Sequence, residues 1–219
     1  MRYAACRGIF NRARAIAVLI VLAAAPAGAA GPVRILVLGD SLAAGYGLPA
    51  RAAFPARLEA RLKAGGFDVV AINAGVSGDT SAGGRARLDW ALADRPDIVI
   101  VELGANDALR GLDPAMTRSN LDAILARLRG AGVRVLLTGM YAPPNFGRDY
   151  EQKFKALYPA LAAKHGVAFY PFFLDRVAAI PALNQPDGIH PNERGVGVIV
   201  DLIAPYVVRL LKALERAGR

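Results

Sequence analysis

The chain has only two histidines in 219 residues, and that limits the proton chemistry it can run. His165 sits in Lys164-His165-Gly166, at the end of a stretch with helical spacing, where an imidazole suits the last carbonyls of a helix. His190 sits in Asp187-Gly188-Ile189-His190-Pro191, three residues after a carboxylate that is near enough to orient the ring and stabilise its charged form. A base of that kind calls for a nucleophile, and Ser41 in Gly39-Asp40-Ser41-Leu42 offers a hydroxyl directly after an apolar run. An acyl-transferring serine also needs donors where the oxyanion develops. Gly78, in Ser77-Gly78-Asp79-Thr80, offers an unobstructed backbone N–H, and Asn106, in Gly104-Ala105-Asn106-Asp107, offers a side-chain amide.

Each of these residues also has an ordinary reading. Ser41 would cap the helix or turn that follows it, Gly78 would fill a positive-φ turn, Asn106 would satisfy neighbouring backbone, and His190 would be a loop histidine beside a helix start. What separates the two readings is the position of all four. Five apolar, β-branched-rich runs, at 33–38, 68–72, 98–103, 134–140 and 168–172, alternate with helical patterns at 54–64, 81–93, 114–129, 150–164 and 195–217. Unbroken apolar strands imply burial on both faces, hence a parallel sheet with helices on each side. Glycines at 65, 66, 130 and 132 mark joints between helix and strand. Ligands of such sheets bind at the carboxyl ends of the strands. Ser41, Gly78 and Asn106 follow the first three strands in turn, and Asp187 and His190 precede the last helix. Four ordinary readings coinciding on one rim are less economical than one serine-based acyl-transfer site.

The first thirty residues read differently from the rest. Arg2, Arg7, Arg12 and Arg14 precede a short apolar run at 15–25 and a small-residue pattern, Ala27-Gly28-Ala29, as in a cleaved secretory signal. The run is short for a bilayer span, which needs about 20 apolar residues. The expected organisation is therefore a signal peptide over 1–30 and a single domain over 31–219, in the periplasm or secreted. Cys6 is the only cysteine, so a chain cleaved near Ala29 or Ala30 has no disulfide, thiolate nucleophile or cysteine metal site. The formal net charge of +9 loses the four signal arginines, leaving 23 basic against 18 acidic residues, a net of +5. These charges are scattered along the helical patterns, with no basic block interleaved with aromatics, so nucleic-acid binding is not expected. Transient contact with membrane lipid is compatible with the residual positive charge.

The segments Gly39-Asp40-Ser41-Leu42, Gly78 with its neighbours, Gly104-x-Asn106-Asp107 and Asp187-x-x-His190 resemble, in order, the four blocks of the SGNH/GDSL hydrolase superfamily. The longer strings around Asn106 and His190 are similar to the bacterial periplasmic branch of thioesterase I, lysophospholipase and arylesterase. The resemblance covers all of the chain after residue 30. It implies an α/β fold, a flavodoxin-like three-layer α/β/α sandwich with a five-stranded parallel sheet. It also implies Ser41 as nucleophile, His190 as base and then acid, Asp187 orienting His190, and an oxyanion hole from the N–H groups of Ser41 and Gly78 with the Asn106 amide. Asp40 is expected to support the loop. No Gly-x-Ser-x-Gly elbow surrounds Ser41, which argues against an α/β-hydrolase scaffold.

The implied activity is hydrolysis of carboxylic esters or thioesters, such as acyl-thioesters, lysophospholipids and aryl esters, with no metal or cofactor and as a monomer. The resemblance places the acyl groove along 108–113, 142–150 and 176–185. Leu109, Tyr141, Pro143, Phe146, Ile180, Leu183 and Ile189 are the expected contacts, while Phe172 and Phe173 are equally well read as groove or core. Two other readings use the same residues: a carbohydrate or peptidoglycan O-acetylesterase, and a non-catalytic lipid-binding protein, which would have no need of Asp-x-x-His beside a serine.

Overall fold

The computed structural model describes residue 1 and residues 31–218. The expected signal peptide therefore lies outside the described residues. One compact unit begins at Gly31 and takes in every element below.

Five strands, β1 (Val33–Gly39), β2 (Val69–Gly75), β3 (Ile98–Glu102), β4 (Arg134–Thr138) and β5 (Ala168–Tyr170), form one all-parallel sheet in the order β2-β1-β3-β4-β5. Ile35 to Leu38 and Ile98 to Val101 have no exposed surface, because these central strands are covered on both faces. The covering helices are α2 (Phe54–Ala64) and α8 (Glu193–Arg216), packed on each other, and α3 (Ser81–Ala86), α6 (Pro114–Gly130) and α7 (Arg148–His165), in which α6 touches both neighbours. Residues Val196, Ile199, Val200, Ile203, Val207 and Leu211 of α8 are buried, the stripe that turns an amphipathic helix onto a sheet. Asn192 caps α8 by accepting from the N–H groups of Arg194 and Gly195, each at 3.0 Å.

Three local features depart from the periodic pattern. The stretch expected as one helix over 81–93 is two, α3 and α4 (Leu88–Leu92), broken at Arg87. There the guanidinium turns inward to the Gly39 carbonyl at 2.9 Å and to Asp79 Oδ2 at 2.6 Å. The fourth and fifth strands end earlier than their apolar runs: Gly139 donates to the Tyr170 carbonyl, and Pro171 follows without an N–H for the ladder. Two short helices, α1 (Ser41–Ala44) and α5 (Ala105–Leu109), follow β1 and β3 directly. Because β2 lies on one side of β1 and β3 on the other, the chain leaves these two neighbouring strands in different directions, which opens a crevice at their carboxyl ends.

Candidate active site

Ser41 is the first residue of α1, and the helix is capped by Asp40, not by the serine. Asp40 Oδ1 accepts from the Leu42 N–H at 3.0 Å, and Gly45 ends the turn with φ of 80°. The Ser41 hydroxyl is thereby free of capping duty. It lies 3.0 Å from His190 Nε2, and His190 Nδ1 lies 2.7 Å from Asp187 Oδ2. Asp187 Oδ1 accepts from the N–H groups of Ile189 and His190 at 2.9 and 3.0 Å. These backbone bonds, then the bond from the His190 ring, hold the Asp187 carboxyl down at about 2, so it is an anion that only accepts. The proton between Asp187 and the ring therefore sits on Nδ1, and Nε2 offers its lone pair to the Ser41 hydroxyl.

The histidine loop is fixed on several sides. The Gln185 N–H donates to the His190 carbonyl at 2.7 Å, and Gln185 Nε2 donates to the carbonyls of Tyr46 and Pro191 at 2.7 and 3.0 Å. The Tyr46 ring lies against the imidazole with centroids 4.6 Å apart. His165 takes no part in this cluster. It ends α7 with Nε2 2.7 Å from Asp122 Oδ1.

The expected oxyanion donors meet the same rim. Among the described residues, the backbone N–H groups of Ser41 and Gly78 donate to no acceptor. Gly78 adopts a φ of 85°, and its carbonyl accepts from Arg110 at 2.9 Å. Asn106 lies on α5, after Gly104 with φ of 115°. Its Nδ2 donates to Asp40 Oδ2 at 3.1 Å and to the Asp79 carbonyl at 2.9 Å, so both amide hydrogens are engaged. For the amide to serve an oxyanion, one of these hydrogens would have to change partner. Asp107 ties the same helix to its neighbours, accepting from the Ser81 N–H at 2.8 Å, the Ser81 hydroxyl at 2.5 Å and the Thr117 hydroxyl at 3.0 Å.

A cavity of about 410 Å³ opens beside Ser41 and His190, with an almost wholly apolar wall. Of the expected groove residues, Leu109, Tyr141, Pro143 and Ile189 line it; Phe146, Ile180 and Leu183 do not. Phe146 packs against Tyr150, 5.2 Å between centroids, and Leu183 turns to the core. Ile180 is exposed just beyond Ala179, which does line the cavity. Phe172 lines the wall, stacked on Tyr141 at 4.1 Å, while Phe173 is buried against Phe54. Ala178 and Ala179, within the segment 176–185 expected to border the groove, complete the wall with Met140 and Leu174, which lie outside the expected segments. Ala179 has φ of 62° and Arg176 φ of 59°, a left-handed backbone that non-glycine residues adopt at a cost.

Sequence reasoning also passed over Glu102, the last residue of β3, although a carboxylate closing an apolar strand was itself a signal. It has no exposed surface, and its Oε2 accepts from the Asp40 N–H at 3.2 Å.

Residues 37–198 match the model of the GDSL-like Lipase/Acylhydrolase family. The chain belongs to that family. Within this GDSL-like family it is 45% identical over 178 residues to Esterase TesA of Pseudomonas aeruginosa, covering 81% of this chain and 89% of that protein. It is 42% identical over 178 residues to Thioesterase 1/protease 1/lysophospholipase L1 of Escherichia coli K12, covering 81% and 84%. Among solved structures it is similar to the psychrotrophic esterase EstA from Pseudoalteromonas sp., inhibited by monoethylphosphonate, with a TM-score of 0.77 and 34% identity over 82% of this chain and 98% of that one. The parallel five-stranded sandwich and the hydrolase class of the chain are thus those of the GDSL-like acylhydrolases.

Proposed function

We propose that this GDSL-like hydrolase cleaves esters or thioesters of apolar acyl groups through an acyl-enzyme on Ser41, with His190 moving the proton and Asp187 holding His190. The observation that carries the reading is the continuous chain of contacts from Ser41 Oγ through His190 to Asp187, opening on an apolar cavity. The Ser41 oxygen bonds to the acyl carbon while Nε2 accepts the hydroxyl proton. The tetrahedral oxygen turns to the N–H groups of Ser41 and Gly78 and to one hydrogen of the Asn106 amide. Collapse breaks the bond to the alcohol or thiol, which leaves with the proton from Nε2. Water repeats the sequence and releases the acid. A sulfur and an oxygen leaving group use the same steps, so one site serves both.

The cavity wall favours acyl or aryl esters over acetylated sugars, since no polar side chain other than those of Ser41, Asn106, Tyr141 and His190 faces it. Residues 1–30 carry the pattern of a signal, and we place the enzyme in the periplasm or outside the cell, acting as a monomer with transient lipid contact. No helix among the described residues is long and apolar enough to cross a membrane. The test is a hydrolysis panel of p-nitrophenyl esters of increasing acyl length, an acyl-thioester, a lysophospholipid and an acetylated sugar. The expected result is kcat/KM rising beyond acetyl and little turnover of the sugar. Activity confined to acetyl groups would make the enzyme an O-acetylesterase, and absence of all turnover would leave a binding protein.

A further inference from the structure

Beneath Ser41 lie two carboxyl groups that the hydrolytic cycle does not use. Asp40 and Glu102 are both without exposed surface, and Glu102 Oε2 accepts from the Asp40 N–H at 3.2 Å, which brings the two acids together. Among the described residues neither forms an ion pair with a lysine, arginine or histidine. Each Asp40 oxygen already accepts one hydrogen bond, Oδ1 from the Leu42 N–H and Oδ2 from the Asn106 amide, the proposed oxyanion donor, and each keeps a second lone pair for a further donor. Glu102 is less well satisfied. Its Oε2 accepts from the Asp40 N–H, yet Oε1 is buried with no hydrogen-bond partner among the described residues. Space is tight as well, because a Cβ on Gly39 would sit 2.6 Å from Glu102 Oε2.

Two buried anions in such contact would repel each other with no water to screen them, so one proton between them is the lower-energy state. We propose that Glu102 is a positioning residue that stays a neutral carboxylic acid and lends its proton to Asp40, so that the pair beneath Ser41 carries one negative charge in place of two. The groups that face the pair do not supply a compensating cation. Tyr158 on α7 donates to the Leu103 carbonyl at 3.1 Å, Asp107 on α5 is another acid, and Arg87 is spent on Asp79 and on the Gly39 carbonyl. The hydrogen bonds from Leu42 and Asn106, then the charge of His190 and the bond to Glu102, pull Asp40 toward ionisation, each more weakly than burial opposes it. Burial, the largest cause for each, pushes Glu102 well above the ordinary carboxylate range and Asp40 up to about 6.

The consequence reaches the oxyanion. A fully charged Asp40 would grip the Asn106 amide hydrogen that the transition state has to share, and a second charge on Glu102 would oppose the developing negative oxygen outright. With its charge spread into the Glu102 proton, Asp40 holds Asn106 in place and still lets it serve. The kinetic side of this proposal rests on the ester-hydrolase reading; the protonation state does not.

The experiment is infrared difference spectroscopy of the whole protein at neutral pH, with kcat and KM measured on Glu102→Gln and Glu102→Leu. Glutamine keeps a carbonyl for the Asp40 N–H and an N–H for the Asp40 carboxylate, but it cannot ionise. Wild type should show a carbonyl stretch of a protonated carboxylic acid that disappears in E102Q. E102Q should keep kcat within about threefold, whereas E102L, which strands the buried Asp40 N–H, should lose about tenfold or more in kcat at little change in KM. Absence of the acid band in wild type, its survival in E102Q, or an E102Q as slow as E102L would overturn the proposal. If E102L does not fold, the band and the rate of E102Q decide alone. A band that behaves as expected in a protein that turns over no ester would end the hydrolase reading and leave the proton on Glu102.

Discussion

Whether a side chain is catalytic depends here on what its neighbours have already taken. Ser41 keeps its hydroxyl for His190 because Asp40 does the capping, and Asp187 stays ionised because two backbone N–H groups and the ring fix its oxygens. Asn106 is the more constrained donor, with both hydrogens engaged. Asn106→Ala should therefore lower kcat by roughly 10²–10³ with little change in KM, read from steady-state kinetics, since the amide counts where charge develops. The acid side of the pH profile is argued the same way. A carboxyl held at about 2 has already lost its proton through the working range. Its folded-state value lies below the ordinary 3.8, so its stabilisation of the loop is present above that value and is lost only as pH falls through about 2. Protonation of Asp187 should then contribute nothing to any loss of kcat/KM on moderate acidification. A profile falling as the square of proton concentration would show Asp187 titrating too.

The elements that carry these residues were legible to differing degrees. Long buried strands and amphipathic helices announce themselves by apolar runs and by 3.6-residue spacing, and β1, β3, α2, α6 and α8 lie where those patterns fall. The helices α1 and α5 are too short to show a period, yet they aim Ser41 and Asn106. The break at Arg87 was equally hidden, because it answers to Asp79 and Gly39 and not to local propensity. Glu102 is different: a carboxylate closing an apolar strand is visible in the sequence, but only the sheet register sets it beside Gly39. The frame itself should be stiff. Ile100 lies in the middle of β3 with no exposed surface, and Ile100→Ala should cost about 2–5 kcal/mol in urea unfolding through lost burial and the cavity left behind. A cost under about 1 kcal/mol would mean that the central strand packs more loosely than described.

At the scale of the whole molecule, the order of the strands does the assembling. With β1 between β2 and β3, the loops after those strands converge on one rim, and α8 starts opposite them so that the segment before it delivers His190. That convergence was legible in the sequence because three of the blocks follow strands and the fourth precedes the last helix. The acyl wall was less so. The chain turns just after β5, where Phe172 faces the cavity and the adjacent Phe173 is buried in the core. The path of 174–180, with its two left-handed residues, brings Ala178 and Ala179 to the cavity and leaves Ile180 outside. The site thus combines a proton-transfer chain fixed by the sheet with a wall set by tertiary course.

The central claim is that one hydroxyl carries the acyl group, and intact-mass analysis after reaction with a p-nitrophenyl alkylphosphonate tests it most directly. Wild type should gain a single phosphonyl adduct, mapped to the peptide containing Ser41, as p-nitrophenol is released and ester hydrolysis stops, and Ser41→Ala should gain none and hydrolyse no ester. An adduct on another residue, or ester turnover that survives in Ser41→Ala, would contradict the account.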